Sequence, residues 1–360
     1  MRKMKTLSHL IIFMLLVICG IMMFNVPSPL VATLTNNSVS VTYFYSHINH
    51  EGDINVSDCE TFTIQDCEFN ITGKIIVQDN ATLIVKNARF VTTPSLWSDG
   101  TSLIVKNHAG LLVVNSTIVF HHPRGCNCQI ILQNEAKVNI TESMLIGHGD
   151  IVARDNSTIK IYNSNITIGF SSYDFSGVVT FDNSVAEVED STIDGVFIWD
   201  KSAASIKDSV AKLIRTGWKE TDETVINITN SRIDSISVQG GTPLFHIIRS
   251  SISDGYFHCN TSAWFIDSST RTLRATGNAM IWLIGSSAGS ISTNNNAKVF
   301  VGWNLPLFGP VTVSHTWIPT MQILFMISIS VVIGVSYIVY SRKKKQWDEN
   351  KVLVVNTYTD

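Results

Sequence analysis

Two short segments carry residue types that could do chemistry. Gly147-His148-Gly149-Asp150 sets an imidazole close to a carboxylate, the two groups on which general acid–base catalysis draws. Segment 121–129, HHPRGCNCQ, gathers His121, His122, Cys126 and Cys128, all of types that ligate zinc. Neither has the surroundings its chemistry needs. A turn leading into Ile151-Val152-Ala153 accounts for the first. In the second, the single residue between Cys126 and Cys128 is a tighter gap than zinc cysteines normally keep. An exported chain also meets oxidising conditions, so a disulfide or a plain polar loop is expected there. No catalytic residue, metal or cofactor is assigned.

The elements that would position any site follow from a repeat. Asp79 and Asn87 stand eight residues apart. The step recurs at Asn107 and Asn115, Asn134 and Glu142, Asp155 and Asn163, Asp182 and Asp190, Asp200 and Asp208, and Asp222 and Asn230. Asp58 and Asp66 precede the series. Gly241 and Arg249, Cys259 and Asp267, Gly277 and Gly285, and a lone Asn295 continue it. Successive first anchors lie 18 to 28 residues apart while the eight-residue step holds, so insertions fall in one part of each unit. Such a period indicates a solenoid.

Within each step the second, fourth and sixth residues are small or apolar, as in Ala81, Leu83 and Val85, or Ala136, Val138 and Ile140. That alternation is a strand. A second short strand follows each second anchor, as in NSTIVF at 115–120. Asn and Asp suit corners, because they tolerate left-handed dihedrals and bond nearby backbone. The column Asp79, Asn107, Asn134, Asp155, Asp182, Asp200 and Asp222 is therefore read as a structural corner ladder. The expectation is an all-β, right-handed parallel β-helix of about twelve rungs over residues 53–302, with the usual crossover hand. Its length is about 55–60 Å at strand spacing.

On this repeat the chain resembles the right-handed β-helix superfamily that includes the pectate lyases, and more closely the membrane-anchored β-helix surface proteins of uncharacterised archaeal sequences. The motif, [ND]-[NHE]-[AS] then [NDE]-[SA]-x-[ILF], identifies architecture and names no activity. The resemblance implies either a surface module or a carbohydrate-active enzyme. The lyases need clustered acids for Ca²⁺ beside a basic residue, and no local cluster with an adjacent Arg is seen. The polygalacturonases of this fold use a Gly-His-Gly element, present at 147–149, but their accompanying Asn-Thr-Asp and Asp-Asp segments are missing.

The most distinctive outward positions lie in the last rungs. The fifth and seventh residues of each step are polar in mid-chain: Asn139 and Thr141, Glu187 and Glu189, Ser205 and Lys207, Asn227 and Thr229. They then become His246 and Ile248, Trp264 and Ile266, Trp282 and Ile284, and Phe300 and Gly302. Trp264, Trp282 and Phe300 are each eighteen apart and are expected to stack on one outer face as a ligand or partner surface. A strand apolar on both sides needs cover on both. Segment 303–318 folding back as a cap is the favoured cover, ahead of a subunit or membrane contact and of an exposed ladder stacking on sugar rings.

The ends place this rod. Residues 1–32 hold three basic residues and then an apolar run, which reads as a signal peptide or a signal anchor. Residues 33–52 form an N-terminal segment and cap, and 303–320 a C-terminal cap and linker. Residues 321–340 carry no charge over twenty positions, the length of a membrane helix, and RKKK at 342–345 opens a short cytoplasmic tail, 341–360. The exterior part carries 18 basic and 26 acidic residues, a net −8, which disfavours nucleic acid. N-glycosylation sequons begin at Asn36, Asn55, Asn70, Asn80, Asn115, Asn139, Asn156, Asn165, Asn227 and Asn260. Cys59 and Cys67 occupy two corners of one rung, too far apart to bridge. The expected function is a non-catalytic surface, adhesion or glycan/envelope-binding module in the cell membrane, its partners glycans or envelope proteins. The rival is a polysaccharide lyase or glycoside hydrolase.

Overall fold

The computed structural model describes residues 31–35, 38–42, 47–93, 101–121, 128–168, 177–217 and 219–302. They form a parallel β-solenoid of about 11 turns. One sheet stacks twelve strands, from Thr61–Gln65 to Lys298–Val301, each spanning the interior of one eight-residue step. This first face is parallel throughout, and its register keeps equivalent residues of successive steps side by side: Leu83, Leu111, Val138, Ile159 and Ala186 form one inward column. The remaining solenoid strands form an eighteen-stranded sheet that wraps the other two faces. Early turns use two short strands there, such as Thr117–Phe120 and Cys128–Asn134. From Thr192–Ile198 onward a single seven-residue strand serves both faces.

The stacking begins ahead of the expected boundary at residue 53, since His47–Glu51 already pairs in parallel with Glu68–Thr72. Val31–Thr35 and Ser38–Thr42 form a separate antiparallel pair. The expected first apolar run, the C-terminal cap, the span 321–340 and the tail lie outside the described residues, apart from the strand that begins at Val31. Among the described residues no helix is long and apolar enough to cross a membrane.

Every anchor of the eight-residue step except Asp222 has positive φ. Nineteen are not glycine, with φ from 45° at Asn163 to 64° at Asp79 and Asn107. These are the left-handed corners that Asn, Asp and Gly tolerate and β-branched residues do not. Asp222 pairs in register with Asp200, because Val225 sits opposite Ala203, yet it is buried and outside the left-handed series. The reason is local: segment 217–224 is longer than its counterparts, and Asp222 accepts the Lys219 N–H at 3.1 Å inside it. Asp222 is therefore not a member of the corner ladder. From Asp79 to Asp182 the ladder is hydrogen-bonded: Asn107 donates to Asp79 and Asn134 to Asn107, both at 2.9 Å. Asp155 accepts the Asn134 N–H at 2.8 Å and Asp182 the Asp155 N–H at 3.2 Å.

The second corner adds a device of its own. Ser116, Ser143, Ser164, Ser191, Ser209, Ser231, Ser250, Ser268 and Ser286 each follow a left-handed anchor and form a continuous buried column. Each oxygen accepts the backbone N–H of the residue one turn below, from Ala88 to Ser268, at 3.0–3.1 Å. Each hydroxyl donates to the carbonyl two residues before it, as Ser191 does to Glu189 at 2.6 Å. The column thus satisfies N–H groups that the bend turns inward, where an unmet donor costs about 1–3 kcal/mol. Inside, the core is a stack of Ile, Val, Leu, Phe and Ala running the full length of the described solenoid.

Candidate functional site

Two outward regions stand out among the described residues. The first is the column on the first face that passes through Asn139, Lys160, Glu187, Ser205 and Asn227 and continues as His246, Trp264, Trp282 and Phe300. Lys160 bridges Glu187 at 2.7 Å in its polar part. His246 Nδ1 lies 2.9 Å from Asn227 Oδ1 where the character changes. The rings of Trp264 and Trp282 are 4.6 Å apart at their centroids with planes 6° apart, and Trp282 and Phe300 are 5.5 Å and 17° apart. Coplanar indoles side by side would clash at 4.6 Å, so the rings lie face to face with offset stacking. Their faces are used by one another and their edges look outward. Sugar-ring stacking needs free faces, and among the described residues of this column only the outer face of Phe300 is left for it.

The second region lies mid-rod on the third face. Here alternate residues that point away from the core are apolar: Val152, Val179, Phe197 and Trp199 form a cluster separate from the core and no more than 5% exposed. Ile131, Phe181 and Leu213 pack against it. Gly177 pairs beside Asp150 on the adjacent strand. A Cβ on Gly177, with φ of +135°, would stand 2.2 Å from the Gly195 carbonyl oxygen, so this position stays bare. Over these strands lies a concavity of about 400 Å³, which runs from Gln129 and Ile131 of strand Cys128–Asn134 across Asp150 and Val152 to segment 219–222.

Its charged groups come from distant points in the chain. Asp150 and Asp222 are buried carboxylates, and Asp200 holds Lys219 Nζ at 2.9 Å. That hydrogen bond, reinforced by the Asp200 charge, raises the Lys219 pKa above the usual lysine range. Arg154 places its guanidinium 4.9 Å over the Phe181 ring. Apolar floor, carboxylates and cations therefore face one volume, of the size small-ligand sites have. Three further concavities among the described residues follow the two corner columns and are open troughs lined mainly by Asn, Asp, Glu, Ser and Thr.

The residues singled out for chemistry fall out differently. Gly147-His148-Gly149 is a tight connection: added Cβ atoms would meet the Phe120 carbonyl at 2.2 Å and the Cys128 carbonyl at 2.6 Å. His148 is exposed in it, its N–H donating to Phe120 and its carbonyl accepting from Cys128. Asp150 of the same segment faces the groove. Cys128 points into the core with no exposure, which removes it from any zinc set in that loop. His121 follows strand Thr117–Phe120 and is exposed, while His122 and Cys126 lie outside the described residues. Among the described residues no group of three or more His, Cys, Asp or Glu is placed to hold a metal. Cys59, Cys67 and Cys259 carry free thiols, with Cys67 and Cys259 raised in pKa by burial. Asn36 lies outside the described residues; of the other sequon asparagines, Asn70 is half-buried and Asn55, Asn80, Asn115, Asn139, Asn156, Asn165, Asn227 and Asn260 are exposed.

The groove escapes a linear reading because Asp150, Arg154, Asp200, Lys219 and Asp222 span more than seventy residues. The signal that could have revealed it is the run of strands apolar on both sides, IVA at 151–153, GVV at 177–179 and VFIW at 196–199. Compared with protein-family models, with curated proteins and with solved structures, the chain matches none.

Proposed function

We propose that this chain is a cell-surface solenoid that binds a hydroxyl-rich ligand, a glycan segment, in the Trp199 groove and does not convert it. The single observation that carries the reading is the groove, where an apolar floor meets carboxylates and cations. A sugar ring offers one C–H face to such a floor and pairs of hydroxyls to carboxylate oxygens, each of which accepts more than one hydrogen bond. In this reading the coil is right-handed and of the pectate-lyase-like kind shared by archaeal surface proteins. Residues 321–340 span the membrane, RKKK stays inside, and the ectodomain stands outside as a glycoprotein. The exterior charge of −8 turns nucleic acid away and favours neutral or cationic partners in the envelope.

The test is binding of the purified ectodomain, residues 33–318, to a panel of neutral and acidic oligosaccharides, with groove and column variants in parallel. Phe181→Ala and Lys219→Ala are expected to weaken the bound sugar at least tenfold, and Trp282→Ala to leave it unchanged. A panel without any binder, or binding lost only in Trp282→Ala, would sink the groove reading.

A further inference from the structure

The last four rungs differ from the rest of the rod in outward chemistry and in charge. On their first face His246, Trp264, Trp282 and Phe300 stack in one column, edges outward. Met280 and Ile284 flank Trp282 on its own strand and are 41% and 40% exposed. Residues 33–243 carry 14 basic and 24 acidic side chains, a net −10, whereas residues 244–320 carry 4 and 2, a net +2. The described solenoid ends at Gly302, and only 303–320 separate this face from the uncharged run 321–340.

We propose that this face is a bilayer-docking surface, which seats the proximal end of the rod on the headgroup region of an anionic membrane. The inference rests on the anchored reading above and deepens it. Three features select lipid over other occupants. Indole edges turned outward put amphipathic Trp rings at one surface, and Trp is the residue enriched at membrane interfaces. The sign of charge changes at the same rungs, so an anionic surface attracts this end and repels the −10 remainder. The area is small: five residues by four rungs is about 16 Å by about 14 Å at strand dimensions. That is well below the roughly 800 Å² per partner of a stable protein interface, whereas a bilayer contact has no such minimum.

The test uses the full chain in nanodiscs containing phosphatidylserine, with Cys59, Cys126 and Cys259 replaced by Ser. A nitroxide is attached in turn at Met280→Cys, at Ile284→Cys, and at Asn139→Cys in the polar stretch of the same column. Collision with oxygen reports lipid, and collision with a water-soluble nickel chelate reports solvent. The expected result is high oxygen and low nickel collision at 280 and 284, and the reverse at 139. High nickel collision at 280 and 284 would overturn the proposal. Low collision with both reagents would overturn it too, because a protein segment such as 303–318, or a second copy, would then cover the face. Flotation of the chain with the discs tests the anchor separately. If the chain does not float, anchoring fails, and co-sedimentation with phosphatidylserine vesicles then decides the face. Binding lost in Trp264→Ala and Trp282→Ala would keep the proposal, and no binding would end it.

Discussion

Two of the apolar regions on the outside of the rod do opposite things with the same strand periodicity. In the mid-rod groove, Val152, Val179, Phe197 and Trp199 are sealed to 5% exposure or less beneath charged walls. In the last rungs, Trp264, Trp282 and Phe300 remain half-buried on a sheet face that no other described residue covers. The difference lies in what flanks the strands. At the groove, Asp150 and Arg154 on one strand and Lys219 and Asp222 from the longer segment 217–224 give the hollow its sides. At the ladder the rungs are uniform, eighteen residues each, so aromatic side chains can only stack into a flat ridge. In the proposed reading the hollow takes a ligand and the ridge meets a membrane surface.

Both regions presuppose the same inside–outside register, and the largest expected effect tests that. Leu111 is 1% exposed, and Leu111→Asp would place an uncompensated charge in the core, at about 3–5 kcal/mol. Secretion of that variant should collapse, while Asn139→Asp on the adjacent strand should be secreted normally. Equal behaviour of the two would break the comparison at its root.

Next come the tryptophans themselves. Trp199→Ala empties a sealed site and should lower stability by about 3–5 kcal/mol. Trp282→Ala removes one member of an open stack, worth about 0.5–1.5 kcal/mol beyond its buried area. Denaturant midpoints of the two variants measure the gap, and similar losses would mean that groove and ridge are not distinct environments. Gly177→Ala sharpens the point about walls. Its strained backbone and its contact with Gly195 should cost about 1–3 kcal/mol and distort the groove without touching the ladder.

The smallest effects are electrostatic and have opposite signs with pH. Lys219, beside the groove, has its pKa raised by the hydrogen bond to Asp200. A base raised on folding stabilises the fold below its unfolded pKa and ceases to do so as pH rises through the folded one. Asp254, in the last rungs, has its pKa lowered by the hydrogen bond to Arg271. Its contribution is present above the unfolded pKa and is lost as pH falls through the folded one. Both groups are exposed, so small changes are expected: Lys219→Met should flatten the alkaline limb of the melting curve against pH, and Asp254→Asn the acidic limb.

Much of the architecture was legible in single residues. The step from Asp79 to Asn87 marks two left-handed corners, and the period-two run Ala81, Leu83, Val85 between them is the buried row of one strand. That logic extends even to Arg249 and Cys259, which hold the same conformation without the usual side chain. It fails at Asp222, because equal spacing cannot reveal that a longer segment has drawn the carboxylate inside. The serine column went unread since one hydroxyl after each second anchor looks like ordinary corner polarity until the turns are stacked. The groove was hidden for a related reason: Asp150 and Lys219 meet only through the coil, whereas the Trp264–Trp282–Phe300 column is visible because a constant eighteen-residue period carries its register in the sequence.

The most direct test of binding without conversion is one mixture assayed twice. Ectodomain 33–318 is incubated with each polysaccharide in the presence of Ca²⁺, and bound sugar and released products are measured in the same samples. The account predicts retained polysaccharide, weakened by Phe181→Ala, with no new reducing or unsaturated ends. Product that forms with the wild type and disappears in Asp150→Asn or Asp222→Asn would contradict it and make the groove an active site.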